Sequence, residues 1–191
     1  MRDAIALDSN RLHRLQQTPL WDFALAFYAK PGIEEACLTL QEEAGVDVCE
    51  LLLHCWLYSF GLEAKPSALA LQREQRCLWQ RQVTEVLRTL RRDLKASASS
   101  NEPVAALREI IKQAELLAER ENLQRWQAWV WETPSGEQRV VNASEKSSDA
   151  ANWLRKQLFL RQGDGRSDDS IKCHKMLLQA LQTLTRQLDP H

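Results

Sequence analysis

The segment ASASSNEP, residues 96–103, interrupts two long stretches that otherwise have the pattern of continuous amphipathic helices. Its serines and asparagine favour helix ends, and Pro103 is tolerated in the first turn of a new helix. The apolar stripe before the break is Trp79, Val83, Val86, Leu87, Leu90 and Leu94, and the stripe after it is Leu107, Ile110, Ile111, Ala114, Leu117 and Ala118. Because so short a connection joins antiparallel neighbours, we predict a long αα-hairpin over residues 66–130.

The composition of the chain agrees with a helical protein. It has 191 residues, with only six glycines and six prolines, which favours helix throughout. The formal net charge of −1 gives no overall attraction to nucleic acid, although it does not exclude a local basic patch. No segment has the features of a signal sequence or a membrane span, and the five cysteines show no disulfide spacing. We therefore expect a cytoplasmic protein with reduced thiols and no membrane partner.

We expect one helical domain over residues 18–190, preceded by a flexible N-terminal arm at residues 1–17. The expected fold is all-α, a compact bundle of about seven helices built around the long antiparallel αα-hairpin. The segments of the domain are N-terminal helices at 18–62, the hairpin at 66–130 and C-terminal helices at 147–188.

The conformation of residues 123–146 stays open at this point. The alternating segment WVWETPSGEQRVVN, residues 129–142, is consistent with a β-hairpin. We favour a helix end followed by a loop, because an isolated β-hairpin is marginally stable.

The segment VDVCELLLHCWLYSFG, residues 46–61, places Cys49, His54 and Cys55 within seven residues. At about 100° per residue the two cysteines lie about 120° apart on a helix, and His54 points away from Cys49. They cannot converge on one tetrahedral zinc ion unless Cys173 and His174 join them from another helix. We favour the interpretation that the cysteines are small core residues, and we expect neither a metal nor another cofactor.

The same helix carries a polar stripe opposite its apolar face: Asp47, Glu50, His54 and Tyr58. Glu50 and His54 are four residues apart, so the carboxylate could orient the imidazole for general-base chemistry. The alternative is an exposed or interfacial polar strip on an otherwise buried helix. With no nucleophile or phosphate-binding loop identifiable, we expect no catalytic residues and no enzyme.

The basic band, defined as Arg88, Arg91, Arg92 and Lys95, is the most distinctive surface feature of the sequence. Helical spacing predicts that it lies on the solvent side while Leu87, Leu90 and Leu94 face inward. Guanidinium groups there could bind an acidic protein partner or nucleic acid phosphates. The alternative is intramolecular pairing. Glu102 and Glu109 would then meet the band, while Glu115, Glu119 and Glu121 would face Arg76 and Arg81.

Three passages together, LWDFALAFYAKPGIEEACLTLQEEAGVDVCELLL (20–53), LRTLRRDLK (87–95) and AELLAER (114–120), resemble a gammaproteobacterial family of small proteins known only as a domain of unknown function. The resemblance covers about residues 18–122, and the insert around residues 129–142 departs from it. It implies a helical, cytosolic, bacterial protein and assigns no activity.

The function we expect is non-enzymatic: a cytosolic helical interaction or adaptor protein whose contact surface is the basic band. Its partner would be another protein, and the oligomeric state stays open. The first alternative is a nucleic-acid-associated protein that uses the same residues, and the second is an enzyme that uses Glu50 and His54.

Overall fold

The computed structural model describes residues 9–132, 139–143, 150–158 and 168–188, and nearly all of them are helical. In chain order the elements are α1 (Ser9–Gln17), α2 (Leu20–Tyr28), α3 (Ile33–Ala44), α4 (Val48–Ser59), β1 (Leu62–Ala64), α5 (Pro66–Trp79), a π-helical turn (Gln80–Thr84), α6 (Glu85–Asp93), α7 (Lys95–Ala98), α8 (Glu102–Trp131), β2 (Val140–Asn142), α9 (Ala150–Gln157) and α10 (Asp168–Arg186). The prediction of an all-α fold is confirmed.

The long hairpin predicted around residues 96–103 is present. One arm runs from α5 through the π-helical turn to α6 and α7, and the other arm is α8. Asn101 begins α8 as predicted, because its side-chain oxygen accepts the amide hydrogen of Val104 at 3.3 Å. Between the arms, the indole nitrogen of Trp79 donates to the carbonyl of Ala118 at 3.1 Å. The break at the tip therefore reverses the chain, and the arms pack along their length.

The central helix of the core is α4. Asp47 caps it, with Oδ1 accepting the amide of Cys49 at 2.8 Å, and Gly45 ends α3 in the left-handed conformation at φ 64°. Residues 49–57 are buried on every side of α4, because α2, α8 and β1 all pack against it. Cys49 and Cys55 are 5% and 0% exposed, as expected for cysteines that act as small core residues.

The residues after α8 contribute a strand that the sequence analysis did not predict. Val140–Asn142 pairs antiparallel with Leu62–Ala64, with Glu63 opposite Val141. The partner of β2 thus lies far back in the chain, whereas our alternatives were a local β-hairpin and a loop. Residues 133–138 and 144–149 lie outside the described part of the chain.

Part of the expected N-terminal arm is helical and packs against the domain. Ser9–Gln17 forms α1, and the Leu15 side chain is fully buried in the core. Arg11 donates from Nη1 to the carbonyl of Gly61 at 3.0 Å. A Cβ at Gly61, where φ is +67°, would lie 2.8 Å from that same guanidinium nitrogen. Residues 1–8 lie outside the described residues.

The C-terminal helices close the other side of the core. The last helix, α10, packs against α3 and α9, and its Leu181 and Leu184 are buried. The hairpin, by contrast, contacts the N-terminal helices through one side, and this position determines which hairpin residues are covered.

Candidate functional site

The four residues of the basic band do not share one environment. Arg88 donates from Nε to Glu115 at 2.9 Å and from Nη2 to Glu119 at 2.7 Å. Arg91 donates from Nε to the other oxygen of Glu115 at 2.5 Å. These two arginines therefore pair across the hairpin with α8, and the prediction that they lie on the solvent side is wrong.

Water has limited access to these ion pairs, because the side chains of Arg88 and Glu115 are 15% and 8% exposed. Burial by itself would raise the pKa of Glu115, but hydrogen bonds from Arg91 and Arg88 outweigh it and the pKa is lowered. At Glu119 burial prevails over the attraction of Arg88, and the pKa is raised. Glu115 is thus the carboxylate that the two arginines hold ionised, and it ties α6 to α8.

The remaining two members of the basic band, Arg92 and Lys95, are exposed near the tip of the hairpin. Arg92 lies 3.7 Å from Glu42 of α3, and both side chains are about 60% exposed. Exposed pairs of this kind contribute little to stability. A surface made by the basic band is therefore half the size that the sequence analysis expects.

The carboxylates that meet the basic band differ from those predicted. The sequence analysis expects Glu102 and Glu109, at the start of α8, whereas the structure uses Glu115 and Glu119. The reason is α7, the extra turn after α6, which packs against the first part of α8. Because α7 takes that place, α6 lies opposite the middle of α8.

The four residues of the predicted polar stripe on α4 also lie in different environments. Glu50 and His54 are 6% and 0% exposed, and His54 Nε2 lies 3.5 Å from Glu50 Oε1. Asp47 is engaged as the helix cap, and the Tyr58 ring packs on Trp153 with centroids 4.6 Å apart. The expectation of an exposed or interfacial strip is wrong for Glu50 and His54, which lie inside the protein.

Arg73 of α5 is the partner of Glu50 that the sequence analysis missed. Its Nε donates to both carboxylate oxygens of Glu50, at 2.8 and 2.9 Å, and its Nη2 donates to the carbonyl of Gln157 at 3.2 Å. Burial would raise the pKa of Glu50, but the bonds with His54 and Arg73 outweigh it and the pKa is lowered. Arg73 thus joins α4, α5 and the end of α9. A lone arginine on a predicted helix gives no signal of such a partner.

The hairpin exposes several large apolar side chains that the sequence analysis places in its packing stripes. Val86 and Leu90 are 56% and 46% exposed, and Ile110 and Leu117 are each 63% exposed. We define the outer face of the hairpin by its exposed large apolar residues: Leu71, Leu78, Val86, Leu90, Leu107, Ile110 and Leu117. Ile111 and Ala118 of the second stripe are buried as predicted. Each stripe is therefore covered along one edge and open along the other.

The outer face lies on the side of the hairpin away from the N-terminal helices. On α8, Glu115, Leu116 and Glu119 line the cavity beside α2–α4, and at about 100° per residue Ile110 and Leu117 lie on the opposite side. The same rotation separates Val86 and Leu90 from the cavity-lining arginines of α6. Between residues 103 and 117, the outward side of α8 carries no charged residue.

The π-helical turn keeps the outer face continuous along the first arm. Leu78 and Val86 are eight residues apart, which in an uninterrupted α-helix would turn Val86 about 80° away. A π-helical turn uses an extra residue, so the following α6 is rotated back. Both side chains then lie on the same side of the arm, which no α-helical periodicity applied to the whole arm would predict.

A cavity of about 260 Å³ lies between the hairpin and α2, α3 and α4. Its apolar wall includes Trp21, Leu25, Leu38, Leu52, Leu116 and Leu123. Its polar wall includes the Arg88–Glu115–Glu119 cluster, the capping residue Asp47 and Gln80 of the π-helical turn. Burial raises the pKa of Asp47 to about 6, although the hydrogen bond from the Cys49 amide by itself would lower it. Glu50 and His54 do not line this cavity, so the predicted acid–base pair has no access to it.

Two features are absent from the residues that the structure describes. Among the residues that the structure describes, no group of three or more histidine, cysteine, aspartate or glutamate side chains is arranged to hold a metal ion. Within the same residues, no helix combines the length and the apolar character needed to cross a membrane.

One comparison with known proteins found a match. A family model described as "Protein of unknown function (DUF2390)" matches residues 19–126, more than half of the chain. The match spans α2–α7 and most of α8, and so includes Glu115, Glu119 and the outer face of the hairpin. No curated protein and no solved structure matches the chain.

Proposed function

The chain belongs to the DUF2390 family, whose function is unknown, and we propose from the geometry of its surface that it is a helical protein-interaction module. The proposed contact surface is the outer face of the hairpin, and the proposed partner is a protein that presents an apolar helix to it. This keeps the expectation of an adaptor protein but moves the contact from the basic band to the apolar side of the same hairpin.

The observation that carries the proposal is the exposure of seven large apolar side chains along one side of the hairpin. From Leu71 to Leu90 these side chains span roughly 30 Å, the length of a helix of about 20 residues. Isolated exposed leucines are normal, but a contiguous patch marks an interaction site. Interface centres are also depleted of charge, and the outward side of α8 around Ile110 and Leu117 has none.

The electrostatics of the hairpin favour a protein partner over nucleic acid. Arg88 and Arg91 are already paired with Glu115 and Glu119, so a phosphate would have to displace carboxylates to reach them. Arg92 and Lys95 are exposed, but the net charge of the chain is −1. Phosphate contacts supply most of non-specific nucleic acid affinity, and an apolar strip supplies none.

We place this function in the bacterial cytosol. Its support is the state of the thiols, since all five cysteines are free, and Cys37, Cys49 and Cys55 are buried as thiols. Burial raises the pKa of Cys37 to about 12, which keeps the thiol protonated and unreactive. Free buried thiols without a disulfide framework are typical of proteins in a reducing compartment.

The test is affinity capture from a lysate of the source organism, with and without nuclease, followed by mass spectrometry. The variant is Ile110→Lys with Leu117→Lys, which places two charges on the outer face. The matched control is Leu116→Lys, which changes a leucine that is 50% exposed on the cavity side of the same helix. A second control, Arg92→Glu with Lys95→Glu, alters what remains of the basic band.

We expect one protein to be captured by wild type and by both controls, and to be lost with the outer-face variant. Ile110 and Leu117 are each 63% exposed, and each adds about 1 kcal/mol when that surface is buried, so losing both weakens binding at least tenfold. Capture that only the Arg92/Lys95 variant abolishes would contradict the outer face as the contact. Capture that nuclease abolishes would support the nucleic-acid alternative instead.

A further inference from the structure

The cavity between the hairpin and α2–α4 opens to solvent through an apolar rim. Its inner wall includes Leu52 and Leu123, which are buried. Its rim includes Leu25, Leu38 and Leu116, which come from three different helices, line the same cavity and are exposed. Concave sites with mostly apolar walls and a few polar groups are typical of small-molecule binding. The cavity and its rim therefore offer apolar surface that a ligand would cover.

The size of the cavity limits the apolar part of such a ligand. Its volume is about 260 Å³. Engineered apolar cavities of about 150 Å³ hold benzene, so by proportion this cavity holds an apolar body of roughly eight to ten carbon atoms.

The cation at the rim of the cavity is Arg92, which lines it and is exposed. Within the described part of the chain, its charged partner is Glu42, with 3.7 Å between Nη2 and Oε1 and both side chains about 60% exposed. That distance is too long for a good hydrogen bond, and an exposed pair of this kind is weak. An anion at the rim can therefore replace Glu42 as the partner of Arg92 at little cost.

The other charged groups of the cavity determine where a negative charge is tolerated. Arg88 and Arg91 are already paired with Glu115 and Glu119, and Asp47 is engaged as the cap of α4. These three carboxylates also line the cavity, so an anionic group placed among them would be repelled. The anionic group of a ligand belongs at the rim, and a single negative charge suits it better than two.

From this arrangement we propose that the cavity binds a small amphipathic monoanion, with its apolar body inside the cavity and its carboxylate held at the rim by Arg92. A guanidinium group presents two parallel N–H donors that match the two oxygens of a carboxylate. The apolar body gains affinity from the surface that it removes from water. The site is on the opposite side of the hairpin from the outer face and does not depend on the proposed protein partner.

Octanoate and 1-octanol are suitable probes, because they have the same chain length but only octanoate is charged. Each is titrated into the full chain at neutral pH, below the concentration at which octanoate forms micelles, with amide chemical shifts in a ¹H–¹⁵N NMR spectrum as the signal. We expect saturable shifts at cavity residues with both probes. The dissociation constant of octanoate should be roughly fivefold lower than that of 1-octanol, which is the size of one favourable exposed ion pair.

Variants of exposed charged residues test the role of Arg92. Arg92→Gln should weaken octanoate roughly fivefold and leave 1-octanol unchanged. Lys95→Gln is the matched control, because it removes an exposed cation that is close in the chain but does not line the cavity, and it should leave both affinities unchanged. Glu42→Gln removes the competing carboxylate, so it should strengthen octanoate and leave 1-octanol unchanged.

A second pair of variants locates the binding site. Leu116→Glu places a carboxylate at the rim of the cavity, so it should weaken octanoate more than 1-octanol. Leu117→Glu makes the same change on the outer face and should leave both affinities unchanged. Propionate, which has the carboxylate but little apolar body, should bind far more weakly than octanoate.

The proposal is overturned if neither probe gives saturable shifts at the cavity, or if wild type binds 1-octanol as tightly as octanoate. It is also overturned if Lys95→Gln weakens octanoate as much as Arg92→Gln, because general attraction to the basic band would then explain the binding. An equal loss with Leu117→Glu and Leu116→Glu would place the site elsewhere. Loss of the protein partner in the capture experiment has no bearing on these titrations.

Discussion

The adjacent residues Arg91 and Arg92 should respond very differently to the same charge reversal. In the folded protein Arg91 donates to Glu115 at 2.5 Å, whereas Arg92 lies 3.7 Å from an exposed Glu42. The substitution Arg91→Glu removes a charge-assisted hydrogen bond and sets a second carboxylate against one that is 8% exposed. The substitution Arg92→Glu changes a side chain that is 59% exposed.

The magnitudes follow from the geometry. A hydrogen bond to a charged group contributes about 1.5–3 kcal/mol, and loss of one partner of a buried pair costs about 3–5 kcal/mol. Because Arg88 still neutralises Glu115, we expect Arg91→Glu to lower the free energy of unfolding by about 2–4 kcal/mol. Arg92→Glu should stay within about 0.5 kcal/mol, as for other surface substitutions.

Urea unfolding followed by circular dichroism measures both changes, and thermal unfolding gives a second readout. For a chain of this size, 1 kcal/mol corresponds to about 2–4 °C, so Tm should fall by roughly 5–15 °C for Arg91→Glu. A change below 0.5 kcal/mol for Arg91→Glu would refute the inward position of this arginine. Equal losses for the two variants would show that net charge, and not the pair with Glu115, is responsible.

Two further predictions concern the cap of α4 and the docking of α1. Since the pKa of Asp47 rises to about 6 on folding from an ordinary value of 3.8, the folded state binds the extra proton and wild-type stability falls as pH rises from about 4 to 6. The substitution Asp47→Asn keeps a capping oxygen and removes this titration. In urea unfolding, the free energy of unfolding of the variant relative to wild type should therefore rise by about 1–3 kcal/mol from pH 4 to pH 7. A difference between the two proteins that does not change with pH would contradict this. Leu15→Ala should cost about 2–5 kcal/mol in the same assay, because Leu15 is fully buried, whereas a flexible arm would tolerate it without loss.

Local sequence signals were sufficient for the hairpin and its tip. The hairpin tip at residues 96–103 depends on residues within one turn of the helix, so its pattern is visible in the sequence. The interpretation of Cys49 and Cys55 as core residues also depends on one helix alone. The pairing of β2 with β1 was missed, because the two strands are more than 70 residues apart in the chain and each is only three residues long.

The candidate surface was predicted less well, because an apolar stripe is compatible with side chains that are buried and with side chains that stay exposed. An apolar stripe on each arm of a hairpin predicts that the arms pack, and Ile111 and Ala118 do pack. It does not reveal how wide the covered strip is, so Ile110 and Leu117 were assigned to the interior while the structure leaves them exposed. For the basic band the sequence indicates that carboxylates are nearby, but Glu115 is selected by the position that α7 gives to α6.

The sequence by itself determined an all-α protein, a long hairpin with its turn at residues 96–103 and a buried α4, because periodicity, caps and helix breakers act over a few residues. The tertiary structure alone decided that Arg88 and Arg91 face inward, that Arg73 reaches Glu50 and that one side of the hairpin is left uncovered. These outcomes depend on the rotation and sliding of whole helices against one another. A single π-helical turn at Gln80–Thr84 changes that rotation, and the helical periodicity of the sequence does not indicate this turn.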